Sequence, residues 1–214
     1  NVLKKTENEN TAKKTKTTKT IHGIEKQTTK ETADQIQQGI AKEILRFHVL
    51  ANSDSEEDQK LKLEVKDRLV DYMKDILDGA EDVKETKKRI TENRETICLV
   101  AEQEIQKQGY TYPVSVNLEK CYFPMKTYGD CTFPAGTYEA LRVCIGKAKG
   151  RNWWCVLYPG LCFADSVNVI VPDEKKQELK NILTEEEYES LFDWREDDYQ
   201  IRSGFLRLWR KLFA

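Results

Sequence analysis

Three kinds of side chain in this sequence could make or break covalent bonds: six cysteines, two histidines and the carboxylates near them. A thiol hydrolase would use Cys155 or Cys162 as nucleophile, His48 as base and Asp54 to orient the imidazole. The surroundings do not favour that chemistry. His48 lies inside the apolar run Ile44 to Ala51, where a histidine is ordinarily a packed residue, and neither cysteine follows a glycine-rich turn into a helix N-terminus that would lower its pKa. No Cys-x-x-Cys pair exists and only His22 and His48 could complete a zinc shell, so no metal is expected. The turn Gly146 to Gly150 lacks Gly-Lys-Ser/Thr and leads into a strand, which excludes a phosphate loop. Glu56, Glu57 and Asp58 are placed as partners of a helix dipole rather than as a glycosidase pair. No catalytic residue and no cofactor is therefore expected.

Composition narrows the remaining classes. Lys+Arg 35 against Asp+Glu 37 gives a net charge of -2, without the basic surface on which nucleic-acid affinity depends. No run of about 18 apolar residues is present to span a membrane. The 39% of apolar residues suffice for a core.

The elements that would position any site follow from periodicity. Residues 1–35 are rich in Lys, Thr, Glu, Asn and Gln, with eight lysines facing three glutamates up to Lys30, so they read as a disordered basic tether. Order is expected over 36–172. Ile44 to Ala51 is a strand, and the polar quartet Asn52 to Ser55 caps a helix, either Ser53 with Glu56 or Ser55 with Asp58. That helix runs to about Asp78, with Leu61, Val65, Leu69, Tyr72 and Ile76 on one stripe and Gly79 as its stop. A second helix is expected from about Glu81 to Gln108. Tyr112 to Tyr122 alternates as a half-buried strand, Tyr138 to Ile145 is another, and Asn152 to Tyr158 returns the chain. The stretch Leu141 to Phe163, dense in tryptophan and cysteine, reads as a buried hairpin around Gly146 to Gly150.

Beyond Pro159 and Gly160, Val167 to Val171 is a short strand candidate, Pro172 opens a helix, and Thr184 with Glu187 caps another. Residues 173–214 form a C-terminal helical segment. Its end, Gly204 to Ala214, spaces Phe205, Leu208, Trp209 and Leu212 along one face with Arg207, Arg210 and Lys211 elsewhere. Such a basic amphipathic tail could touch a membrane surface or close over the domain's own core. The fold class is α+β: two long antiparallel helices packed on a mostly antiparallel sheet of about four strands, with short C-terminal helices.

Strand phase bears on the cysteines. Cys121 shares a face with Ser115 and Glu119, and Cys144 shares one with Arg142, both opposite the aliphatic rows. Cys155 and Cys162 flank Pro159-Gly160, while Cys121 and Cys131 flank a second proline- and glycine-bearing loop. Each pair could close a small ring worth about 2–3 kcal/mol, in an oxidising compartment outside the cytoplasm. Other connectivities stay open.

Four blocks resemble the stage II sporulation protein R family: LRFHVLANSDSEEDQ (Leu45 to Gln59), Phe123-Pro124 with Tyr128-Gly129, PAGTYEALRV (Pro134 to Val143) and NWWCVLYPGLCF (Asn152 to Phe163). The resemblance implies a secreted signalling protein, without enzymatic activity or a small-molecule substrate. It would be made in the forespore, exported to the space between forespore and mother-cell membranes, and would trigger a membrane-embedded aspartic protease of the mother cell. That protease would remove the pro-sequence of a sigma factor. Carried over by position, the partner-binding residues would be Arg46, Asn52, Asp54, Tyr138, Arg142, Trp153, Trp154 and Pro159, with Ser53, Cys155 and Cys162 in the same blocks. The rival expectations are a secreted cysteine-dependent hydrolase of the spore envelope and a membrane-surface adaptor working through Phe205 to Phe213.

Overall fold

The computed structural model describes residues 33–163 and 170–192. A first helix, α1 (residues 33–43), leads into β1 (Leu45–Leu50), all six of whose residues are buried. Apolar Leu45, Phe47 and Val49 on one face alternate with Arg46 and His48 on the other, so both faces of this strand need cover.

Helix α2 (Glu56–Leu77) starts where the sequence sets it. The Ser55 hydroxyl accepts from the Asp58 N–H at 3.2 Å, and Glu56, Glu57 and Asp58 fill the positive first turn. Leu61, Val65, Leu69, Met73 and Leu77 recur every four residues and form its buried face. Tyr72 and Ile76 flank that stripe half-buried. Gly79, at φ 68°, ends the helix in the left-handed region.

The single helix expected from Glu81 to Gln108 is two: α3 (Val83–Glu92) and α4 (Arg94–Lys107). Asn93 divides them at φ -100° and ψ 8°, outside the helical basin. Its side-chain N–H donates to the Arg89 carbonyl at 2.9 Å, and its side-chain oxygen accepts from the Tyr72 hydroxyl at 3.2 Å. A short amide that bonds its own backbone offers the chain an alternative to continuing the ladder. Ile90 and Ile97, on either side of Asn93, are both buried in the core that packs on the sheet.

Strands β2 (Val114–Phe123), β3 (Lys126–Tyr128), β4 (Cys131–Phe133), β5 (Gly136–Ile145) and β6 (Asn152–Tyr158) follow, then a 3-10 turn (Leu161–Phe163), α5 (Asp173–Ile182) and α6 (Glu185–Ser190). The main sheet has the order β2-β5-β1-β6. Its β2–β5 and β1–β6 pairs are antiparallel and its β1–β5 pair parallel, while β3 and β4 form a separate ribbon. The fold is thus α+β with a mostly antiparallel sheet, as the periodicity indicates.

The expected hairpin is corrected. β5 and β6 flank the Gly146 to Gly150 turn, but they do not pair with each other, because β1 lies between them. A strand buried on both faces belongs at the centre of a sheet, and the turn crosses over its end instead of closing a hairpin. The Gly150 N–H donates to the Ala51 carbonyl at 2.9 Å, and the Lys149 N–H to the Asn52 carbonyl at 3.2 Å.

Two cores result. On one sheet face Phe47, Val49, Val116, Leu141, Val143 and Ile145 meet the apolar faces of α2, α3 and α4. On the other, Phe123, Tyr138, Ala140 and Val156 are covered at one end by α1, the β3–β4 ribbon, α5 and α6 through Ile40, Phe133, Leu179, Leu183 and Leu191. Helix α6 carries the expected capping box between Thr184 and Glu187. The tether through residue 32, most of the candidate strand Val167 to Val171 and the tail Gly204 to Ala214 lie outside the described residues. Among those described, no helix is long and apolar enough to cross a membrane.

Candidate docking site

The Asn52 to Ser55 loop fastens to the basic turn that crosses β1. The Asn52 side chain accepts from the Lys147 N–H at 2.9 Å and donates to Asp58 Oδ2 at 2.8 Å. The Asp54 carboxylate accepts from the Arg151 N–H at 2.6 Å. Gly150 packs so closely on Ser53 that a Cβ would collide with the Ser53 backbone carbonyl. Burial alone would raise the buried Asp58 carboxyl, but bonds from the Ser53 hydroxyl and the Asn52 amide outweigh it and hold the group below its ordinary range. Asn52 and Asp54 therefore build the corner at which α2, β1 and β6 meet.

Arg46 and Tyr138 point into the second core and are 0% and 1% exposed. The Arg46 guanidinium sits 4.5 to 5.6 Å from the ring centroids of Phe123, Tyr128, Phe133 and Tyr138, and it donates to the Tyr128 hydroxyl at 3.0 Å. Among the described residues its Nε and Nη1 have no hydrogen-bond partner and no carboxylate pairs with it. The ring cage is what compensates this buried cation. Pro159 is also buried. Trp153 lies on the helix side, edge-on to Phe47 at 5.5 Å and beneath the Lys66 ammonium at 5.3 Å.

Trp154 and Arg142 project from the opposite face, beyond the part that the C-terminal helices cover. Strand register sets Arg142, His48 and Trp154 in one row across β5, β1 and β6, with Asn117 of β2 at its end. Ser115 and Asn117 are exposed, and Glu119, Cys121, Arg142, Cys144, Asn152 and Trp154 are half-buried, so this end of the sheet opens to solvent among the described residues. The Trp154 indole lies flat on the His48 imidazole, with centroids 4.9 Å apart and 16° between planes, and meets Phe123 edge-on at 4.7 Å. Arg142 Nη1 pairs with Glu119 Oε1 at 2.7 Å.

Cys121 completes this floor, its sulfur 3.5 Å from His48 Nε2. Burial, reinforced by the positive charges of Arg142 and Arg46 and opposed by Glu119, lowers the His48 pKa to about 4. Burial and the Glu119 charge push the Cys121 thiol up. At neutral pH the pair is a neutral imidazole beside a protonated thiol, the opposite of the thiolate–imidazolium pair that nucleophilic catalysis uses. The triad considered from sequence is not assembled: His48 faces Cys121, while Asp54 is bonded to Arg151 at the far corner. All six cysteines are free thiols in this structure.

Of the sequence-named residues, the fold brings Arg142 and Trp154 together on an open surface, with His48 as their support. Arg46, Tyr138 and Pro159 are placed in the interior, Trp153 on the helix side, and Asn52 and Asp54 at the corner. Glu119, Cys121 and Lys126, whose ammonium lies 6.0 Å from the Trp154 ring, join the surface without having been singled out for it. The alternation of β2 had already set Cys121 and Glu119 on one face, but the strand order that lays that face beside His48 is carried by non-local pairing.

Comparison with known proteins follows the same stretch of chain. The family model described as stage II sporulation protein R matches residues 41–168. A stage II sporulation protein R from Bacillus subtilis (strain 168) is 33% identical over 174 residues, covering 79% of this chain and 76% of that protein. No solved structure matches.

Proposed function

Since this chain belongs to the stage II sporulation protein R family, which gives it a role in sporulation, we propose that it is a secreted signal that acts by binding. Its target is a membrane-embedded aspartic protease of the mother cell, met in the space between the forespore and mother-cell membranes, and its binding switches on removal of a sigma-factor pro-sequence. No bond is made or broken by the signal itself. A ligand of this kind works by binding the active form of the protease more tightly than the inactive one, so its surface must be rigid and specific.

The observation that carries the reading is the Trp154 ring, half-buried and held flat on His48, beside the Arg142–Glu119 pair on the open end of the sheet. Trp and Arg are the residue types that dominate binding hot spots, and a ring pinned from below loses little rotamer freedom when covered. A mixed-charge border suits a polar partner surface.

The test is reconstitution. The chain, supplied with an export signal, is produced in a non-sporulating cell together with the candidate protease and the sigma-factor precursor, and precursor cleavage is followed. Cleavage that requires the chain, and that a folded variant carrying Trp154→Ala and Arg142→Gln no longer supports, is the expected result. Absence of cleavage with all three proteins present and folded overturns the reading.

A further inference from the structure

Cys155, in the middle of β6, and Cys162, in the 3-10 turn that follows it, are already neighbours. Cys155 Sγ and Cys162 Sγ both donate to the Val156 carbonyl, at 3.7 and 3.0 Å. Burial, and then the hydrogen bond to the Cys155 thiol, push the Cys162 thiol well above its ordinary pKa. The chain between them, Val156 to Leu161, doubles back through Pro159 and Gly160 into the 3-10 turn. The other four cysteines are placed differently. Cys98 donates to the Val114 carbonyl at 3.6 Å, Cys121 faces His48, Cys131 is buried in β4 and Cys144 lies on the open face of β5.

We propose that Cys155 and Cys162 are an oxidation site that ends as a disulfide, formed by exchange with a protein or small-molecule disulfide. Two S–H bonds break and one S–S bond forms; the donor disulfide takes up the electron pair and both protons and leaves as two thiols. The attacking species is a thiolate, and the closed fold leaves Cys162 half-buried with its thiol held protonated. The bond therefore forms while the segment from β6 to Phe163 is still open, ahead of the closure that packs Cys162 against the first core. Its structural effect is local. It ties the 3-10 turn, whose Leu161 is part of the second core, to a strand whose Leu157 belongs to the first. This inference needs only an oxidising environment and does not rest on the identity of the protein partner.

The experiment maps bonds on the full chain. Material made through an oxidising export route and material made in a reducing cytosol are denatured without reductant, alkylated and digested, and the peptides are weighed. The expected result for the exported chain is a cross-linked pair containing Cys155 and Cys162, with the other four of the six cysteines alkylated. Reduction should then expose all six. In parallel, Cys155→Ser, Cys162→Ser and the double variant should show one common drop in unfolding midpoint, and reductant should bring the parent chain down to the same midpoint. Six alkylated thiols in the exported chain, or a bond from Cys131 to either residue, overturns the proposal, as does a parent midpoint that reductant leaves unmoved.

Discussion

The Trp154 indole stacks on the His48 imidazole at 4.9 Å, so the most exposed ring of the open face rests on a histidine that is only 3% exposed. Its pKa falls from 6.5 to about 4 on folding. Between those values the unfolded chain binds more protons than the folded one, so stability rises with pH across that window and is lost as the pH drops through it. The loss approaches about 3 kcal/mol by pH 4. Chemical denaturation at a series of pH values should show that slope, and His48→Gln should flatten it.

Arg142 and Trp154 should separate signalling from folding. The Arg142–Glu119 side chains are 36% and 38% exposed, so Arg142→Gln should cost no more than about 1 kcal/mol. Precursor cleavage in the reconstituted system should nonetheless fall by about tenfold or more, the effect of removing one hot-spot residue. Equal cleavage by the variant and the parent would place the docking contact elsewhere.

Trp153 offers the matched control. It packs half-buried on Phe47 and beneath Lys66 on the helix side, so Trp153→Ala should destabilise, though by less than the ~3–5 kcal/mol of a fully buried ring. Trp154→Ala, equally half-buried, should cost comparable stability and more signalling. Thermal unfolding measured beside precursor cleavage tells the two indoles apart.

The Asn52 corner should behave as structure. Asn52→Ala removes one bond to Lys147 and one to the buried Asp58, for a loss of about 1–3 kcal/mol. Gly146→Ala adds strain at φ 57° and drives a methyl group into the Asn52 amide. Both variants should lose signalling only as far as they lose folded protein, which circular dichroism beside the cleavage assay would register.

Arg46 should respond to shape more than to charge. Arg46→Ala leaves the ring cage empty and should cost about 3 kcal/mol or more. Arg46→Met fills it with an apolar chain and removes two unpartnered N–H groups, so its stability should stay within about 1 kcal/mol of the parent. Urea denaturation of the two variants distinguishes a packing role from a charge role.

Local signals in the sequence located most of these elements. The Ser55 cap, the first part of the α2 stripe (Leu61, Val65 and Leu69), the stop at Gly79 and the Thr184–Glu187 box are each written in residues a few positions apart, while Met73 and Leu77 take the buried places expected for Tyr72 and Ile76. The alternation of β2 and β5 set Cys121 and Arg142 on their correct face for the same reason. The break at Asn93 was hidden, because the apolar spacing of α3 and α4 keeps one helical phase and only the Tyr72 and Arg89 contacts reveal the kink. The place of β1 between β5 and β6 was hidden too, since Phe47 pairs with Leu141 and Cys155 far along the chain. That same insertion is why the matched block Leu45 to Gln59 divides into an interior Arg46, a buried floor at His48 and a corner clasp at Asn52.

The strand made first is the one whose neighbours are made last. Until Gly136 to Tyr158 have emerged, Leu45 to Leu50 has a free edge on each side, and only the helices between can take shape from local contacts. Closing such distant pairs is slow, which keeps a newly made chain loose for longer than a bundle of its size.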